Sequence, residues 1–111
     1  MADCLFCKIV AGEIPAKVVF GDSDTLAIAD LNPVAPLHVL VLPRVHVAKL
    51  SELEDERLGG HLLQVARRVA KDAGYADNFR VVVNNGAGAG QSVGHLHMHV
   101  LGGRQFSWPP G

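Results

Sequence analysis

The sequence has no apolar run approaching the length of a membrane-spanning helix. That excludes a helical integral membrane protein. It has no basic block or arm, and its ten basic residues nearly balance eleven acidic ones for a formal net charge of −1. No electrostatic footprint for duplex DNA or RNA is present, so nucleic acid is not an expected partner. A small ligand with one or two phosphates stays admissible, because a few local donors suffice to hold it. The start, Met1-Ala2-Asp3-Cys4, lacks the basic residues and apolar stretch of a secretory signal, and the expected location is the cytoplasm. No linker, long-period repeat or low-complexity stretch divides the 111 residues, so one domain is expected. Cysteine is scarce. Cys4 and Cys7 are the only two, and their spacing in a cytoplasmic chain points to metal ligands or redox thiols rather than a structural disulfide.

The apolar fraction of 49% is that of a protein that builds a core. Leu5, Phe6, Ile9 and Val10 suggest a short helix from Cys4 to Val10, ended by Gly12 and Pro15. Lys17–Phe20 and Thr25–Asp30 read as strands joined by the turn residues Gly21-Asp22-Ser23-Asp24. Asn32 to Pro36 is a stiff loop, and His38–Leu42 a third strand. The period then changes. Ser51 with Glu54 is a capping-box pattern, followed by Leu58, Leu62, Val65, Ala66, Val69 and Ala73 at helical spacing, with Lys71 in the last turn and Gly74 as the stop. Phe79–Asn84 and His95–Leu101 are the fourth and fifth strands, separated by a flexible glycine-rich loop. This order predicts an α+β fold: a five-stranded, mostly antiparallel sheet with one long helix and a short N-terminal helix. One helix covers only part of such a sheet, which leaves apolar surface for a second copy of the chain.

Five of the six histidines fall in two groups, His38 with His46 and then His95, His97 and His99. The last three alternate with Leu96, Met98 and Val100. Strand side chains alternate between faces, so three imidazoles share one face and three apolar groups the other. Neighbouring imidazoles oppose one another's protonation and add little to a core, so this pattern points to chemistry. A metal site is one reading. Nucleophilic and acid–base work on phosphorus is the other, and the loop upstream favours it. Gly86 to Gly94 supplies free backbone N–H groups of the kind that cradle a phosphate, with Gln91 and Ser92 just before the histidines. His61, in the long helix, reads as an ordinary helix-face residue with no catalytic role.

The run His95-Leu96-His97-Met98-His99-Val100-Leu101 resembles the signature of the histidine-triad (HIT) superfamily. Glu13-Ile14-Pro15-Ala16-Lys17, Asp30 through His38 to His46, Gly90-Gln91-Ser92-Val93 and the tail from Gly102 to Trp108-Pro109-Pro110-Gly111 are similar to its Hint branch. The resemblance covers nearly the whole chain. It implies that His97 attacks an α-phosphorus and carries a nucleotidyl intermediate, a covalent route that splits one displacement into two. It implies that the His95 backbone carbonyl holds the other ring proton of His97, that His99 contacts phosphate oxygens, and that His38 is a fourth active-site histidine. Ser92 matches the serine near the leaving group and Asn84 the asparagine facing the phosphate. Asp30 matches the acid that receives the ribose hydroxyls. Leu5, Phe6, Ile9, Ile28 and Leu31 match the apolar slot for the base, with Gln91 and Val93 also on the nucleotide side. Trp108 would reach the partner's site across a homodimer.

The pair Cys4-Leu5-Phe6-Cys7 departs from familiar animal Hint proteins. By likeness to zinc-carrying bacterial HIT proteins and the related galactose-1-phosphate uridylyltransferases, Cys4, Cys7, His46 and His95 are candidate ligands of a structural zinc. Four protein ligands would leave no open position for water. The implied activity is hydrolysis of adenosine or guanosine 5′-phosphoramidates and related adenylates, with a purine nucleotide as substrate. Nucleotidyl transfer, dinucleoside-polyphosphate hydrolysis and non-catalytic nucleotide binding are the alternatives, and the Hint-like tail weighs against the first two.

Overall fold

The computed structural model describes residues 3–111, so Met1 and Ala2, where the reading of the N-terminus began, lie outside the described residues. Its elements in chain order are α1 (Leu5–Val10), β1 (Val18–Gly21), β2 (Thr25–Ala29), β3 (Leu37–Pro43), α2 (Glu56–Asp72), β4 (Phe79–Val82) and β5 (Met98–Gly102). The five strands form one sheet in the order β1-β2-β3-β5-β4, and every neighbouring pair is antiparallel. With α1 and α2 this is the α+β architecture expected from the sequence. Among the described residues, no helix is long and apolar enough to cross a membrane.

Register decides which side chains share a face. Ala27 pairs with Val41, Val41 with Met98, and Val39 with Val100. These residues form the face covered by α2, where Leu58, Leu62, Val65, Ala66, Val69 and Ala70 complete a buried core. Each large aliphatic side chain buried here is worth roughly 1.5–3 kcal/mol over exposure. On the opposite face Ile28 pairs with Leu40, and Leu40 with His99. Leu26, Leu42 and Phe6 of α1 join Ile28 and Leu40 in a second, smaller cluster. The sheet therefore separates an apolar layer under α2 from a face where histidines and aliphatic residues meet.

The start of α2 differs from the capping-box reading. Asp55, not Ser51, is its N-cap, and the carboxylate accepts from Leu58 N–H at 3.0 Å. Ser51 sits in a separate 3₁₀ turn, Leu50–Glu52, and its N–H donates to Asn85 Oδ1. The reason is tertiary. Leu53 packs against the core in an extended conformation, which stops the turn and restarts the helix after it. The other end matches the sequence: Tyr75 N–H reaches Ala70 C=O and Gly74 N–H reaches Lys71 C=O, with Gly74 in the left-handed region at φ +92°. The loop read as flexible contains a 3₁₀ turn, Ala87–Ala89.

His61 carries more than an ordinary helix-face role. It meets Asp22 at 2.7 Å and ties α2 to the turn between β1 and β2. Asp22 also accepts from the Thr25 hydroxyl and from the N–H groups of Asp24 and Thr25. Burial pulls this carboxyl up. The hydrogen bonds, led by those from Thr25 and His61, outweigh it and hold Asp22 well below the usual carboxylate range.

Candidate active site and metal centre

The histidine run straddles the beginning of β5. The ladder starts at Met98, so His95 and His97 precede it and only His99 lies within it. The alternation nonetheless continues upstream: Leu96 and Met98 face the α2 core while the imidazoles take the other side. Backbone groups orient His38, His95 and His97, and His38 orients His99. His97 Nδ1 lies 2.8 Å from the His95 carbonyl, which can only accept, so Nδ1 carries the proton and Nε2 is left with the lone pair. His95 Nε2 lies 2.8 Å from the Pro43 carbonyl, so its lone pair is on Nδ1. His38 Nδ1 accepts from Val34 N–H at 3.1 Å, so its proton is on Nε2, which donates to His99 Nδ1 at 2.9 Å. In its neutral form His99 then carries its proton on Nε2. The rings are close enough to influence one another, with centroids of His97 and His99 5.1 Å apart and those of His38 and His99 5.2 Å apart. Burial, followed by the neighbouring imidazoles His97 and His38, holds His99 below the ordinary histidine range, against the pull of Asp30.

These rings open onto a cleft of about 270 Å³. His97 and His99 line it together with Asp30, Ser92, Val93, Leu5, Phe6, Ile9, Ile28 and Leu31. Phe6 is buried and stands edge-on to His97, centroids 5.0 Å apart. Leu31 is on the rim and 92% exposed. The cleft is mostly apolar with a few convergent polar groups, the usual make-up of a small-molecule site.

Several residues named from the sequence lie elsewhere. Gln91 does not line the cleft. Its amide accepts from Gly86 N–H and donates to the carbonyls of Ala48 and Val93, so it braces the loop that carries Ser92. Asn84 lies beside Gly90 at the base of that loop, outside the cleft lining. Trp108 is 83% exposed on a tail held by Arg80 to the Ser107 carbonyl and by Arg104 to the Val34 carbonyl. His38 is not in the cleft lining and stands behind His99 and Asp30, which are. Conversely, Ile14, Ala16, Lys17 and Leu40 line the cleft without having been singled out. Leu40 shares the strand parity of His38. Ile14 and Ala16 are half-buried in alternation with exposed Pro15 and Lys17, a weak period-two signal in the segment before β1.

A second constellation lies directly behind the first. Cys4, Cys7, His46 and His95 bring their four ligand atoms within 4.8 Å of one another. His95 Nδ1 is 3.4 Å from Cys4 Sγ and 3.6 Å from Cys7 Sγ, and His46 Nδ1 is 3.2 Å from Cys7 Sγ. Tetrahedral bonds of about 2.3 Å to sulfur and 2.0–2.1 Å to nitrogen put such S···N edges at roughly 3.6 Å. The donor set therefore fits a tetrahedral divalent ion of the zinc type. The Pro43 carbonyl aims His95 Nδ1 at the thiols, the outer-shell contact that such sites use. Burial and the adjacent Cys4 push the Cys7 thiol up, a penalty that a cation between the sulfurs would remove. Cys4 also caps α1, its sulfur accepting from Cys7 N–H at 3.3 Å. Asp30, His38 and His99 form another close trio. There the Val34 N–H fixes the proton on His38 Nε2, so that atom has no lone pair for a metal.

The HIT domain model matches residues 11–106, across both the cleft and the histidine run. The chain belongs to the HIT family. An uncharacterised HIT-like protein of Synechocystis is 54% identical over 111 residues, spanning 98% of this chain and 97% of that one. A maize protein described as a 14 kDa zinc-binding protein is 49% identical over 112 residues, spanning 96% of this chain and 87% of its own. Among solved structures, a HIT family hydrolase from Legionella pneumophila superposes with a TM-score of 0.95 at 46% identity, covering 98% of this chain and all of that one. The HIT fold thus accounts for the strand order that brings the N-terminal cysteines and the histidine run together.

Proposed function

We propose that this HIT protein is a nucleotide hydrolase that cleaves purine nucleoside 5′-phosphoramidates and related adenylates through a nucleotidyl intermediate on His97. The observation that carries the reading is the His97 ring. Its Nδ1–H is held by the His95 carbonyl, its Nε2 has the lone pair, and the ring lines an apolar cleft. In the first step Nε2 forms a bond to the α-phosphorus, and the bond from phosphorus to the leaving amine breaks. The electron pair departs on that nitrogen, which takes up a proton. Ser92 and the His99 Nε2–H are the donors at hand for the leaving nitrogen and a phosphoryl oxygen. Water then attacks phosphorus and gives up a proton that restores the donor, the electron pair of the breaking bond returns to Nε2, and the nucleoside monophosphate leaves. His95 contributes its carbonyl, and His38 orients His99.

Asp30 receives the ribose hydroxyls, and the cleft residues Leu5, Phe6, Ile9, Ile28, Leu31 and Val93 enclose the purine. Asn84 serves the phosphate, and Gln91 shapes the loop. A homodimer, with Trp108 reaching the partner's cleft, and a cytoplasmic location complete the reading. Zinc held by Cys4, Cys7, His46 and His95 supplies a structural cross-link and takes no part in the displacement. The names of the Legionella hydrolase and the maize zinc-binding protein support the activity and the metal, respectively.

The test is turnover of lysine-linked adenosine 5′-phosphoramidate. Wild type should release AMP, and His97→Ala should release none while still binding AMP. Equal release by both would remove His97 as the nucleophile. AMP binding without release by either would replace the hydrolase with a binding protein.

A further inference from the structure

His38 has one ring proton to give, and both His99 and Asp30 lie beside it. Its Nδ1 is occupied by the Val34 N–H, so the ring has only the Nε2 proton to give. That nitrogen lies 2.9 Å from His99 Nδ1 and 3.3 Å from Asp30 Oδ2. The hydrogen bond goes to His99 Nδ1, and the Asp30 carboxylate, which when ionised can only accept, stands close enough to the same nitrogen to attract that proton. Asp30 Oδ1 is already engaged by the Asn32 N–H at 2.8 Å. The same carboxylate lines the cleft, whereas His38 does not. Asp30 and His99, both in the cleft lining, are thus linked through a residue that is not part of it.

We propose that Asp30, His38 and His99 couple sugar recognition to phosphate recognition. Vicinal hydroxyls donated to Asp30 satisfy the carboxylate and weaken its claim on the His38 proton. The existing bond to His99 Nδ1 then strengthens, and hydrogen-bond polarisation makes the His99 Nε2–H the better donor to a phosphoryl oxygen. The inference rests on the hydrolase reading and deepens it, because it places the ribose requirement in the chemical step. His38 is the positioning residue of this chain. Were Asp30 only a sugar contact, losing the hydroxyls would raise KM and leave kcat unchanged.

The experiment compares lysine phosphoramidates of adenosine and of 2′,3′-dideoxyadenosine on the full chain. With wild type, removing the hydroxyls should lower kcat roughly tenfold, the scale of one redirected hydrogen bond. With Asp30→Ala, KM should rise and the difference in kcat between the two sugars should vanish. Imidazole ¹⁵N spectra give a readout independent of turnover. Saturating adenosine should move the His99 Nδ1 signal, and saturating dideoxyadenosine should leave it in place. Equal kcat for both sugars in wild type, or identical spectra with both nucleosides, would overturn the coupling and leave the hydrolase standing. If neither phosphoramidate is cleaved and neither nucleoside binds, the hydrolase reading fails and the coupling with it. The wild-type comparison decides the matter even if Asp30→Ala does not fold.

Discussion

Removing the proposed zinc should loosen α1 and leave the sheet folded, and the size of the effect follows from the contacts of α1. Ordering the six residues of α1 and their Cys4 cap costs about 10 kcal/mol of conformational entropy, at roughly 1.5 kcal/mol each. Buried Phe6 returns about 2–3 kcal/mol, and half-buried Ile9 and Val10 about 1 kcal/mol together. Local hydrogen bonds, those inside α1 together with those from the N–H groups of Lys8, Ala11, Gly12 and Glu13 at its ends, add about 1 kcal/mol each. Gains and cost nearly cancel, so the segment by itself holds its place only marginally. Structural zinc binds tightly enough to tip that balance. The assay is hydrogen exchange at the amides of Ala11, Gly12 and Glu13, with and without a chelator, beside a measurement of bound zinc. Chelation should abolish protection at these amides while those of β3 and β5 stay protected. Because α1 carries Leu5, Phe6 and Ile9 of the cleft, AMP affinity should fall in parallel. Equal protection of α1 in zinc-free protein would refute the reasoning, since its own contacts would then suffice.

Three further outcomes are expected. Stability to urea should fall as pH drops below about 6.5. Burial first, and neighbouring imidazoles second, hold His99 and His95 below the ordinary histidine range, so the unfolded chain binds protons there that the native state refuses. Each ring contributes a slope of up to about 1.4 kcal/mol per pH unit until its lowered folded value is reached, and a flat profile from pH 7.5 to 5.5 would contradict this. Gly103→Ala should cost about 1–3 kcal/mol in urea denaturation, because φ is +93° and a Cβ would stand 2.8 Å from both Pro36 Cβ and Tyr75 Oη. Asp22→Ala should cost about 1.5–3 kcal/mol at pH 7 by leaving Thr25 and His61 unpaired. Since the Asp22 carboxyl is held low, its contribution is present above about pH 4 and is lost as pH falls further, so wild type and variant should converge at low pH.

Much of this molecule is legible in its sequence, because local periodicity is a local property. The 3.6-residue spacing from Leu58 to Val69 dictates which side of α2 is buried. The alternation from His95 to Val100 dictates that the imidazoles share a face, even though the regular ladder begins only at Met98. Gly74 ends its helix for a reason intrinsic to glycine. Where the sequence reading missed, long-range packing intervened: Leu53 drawn into the core moved the cap of α2 to Asp55, and Asp22 turned His61 into a tie between layers. The metal quartet depended on tertiary structure still more. Its donors come from α1, the loop after β3 and the segment before β5: antiparallel pairing of β3 with β5 brings the two histidines together, and packing of Phe6 on the sheet adds the cysteines. Nor does residue type say which nitrogen of a histidine holds the proton. The carbonyls of His95 and Pro43 and the N–H of Val34 decide that. The sequence by itself determined which residues carry the chemistry. The fold decided their protonation, because backbone groups displaced in the chain are the partners of His38, His95 and His97, and His38 in turn is the partner of His99.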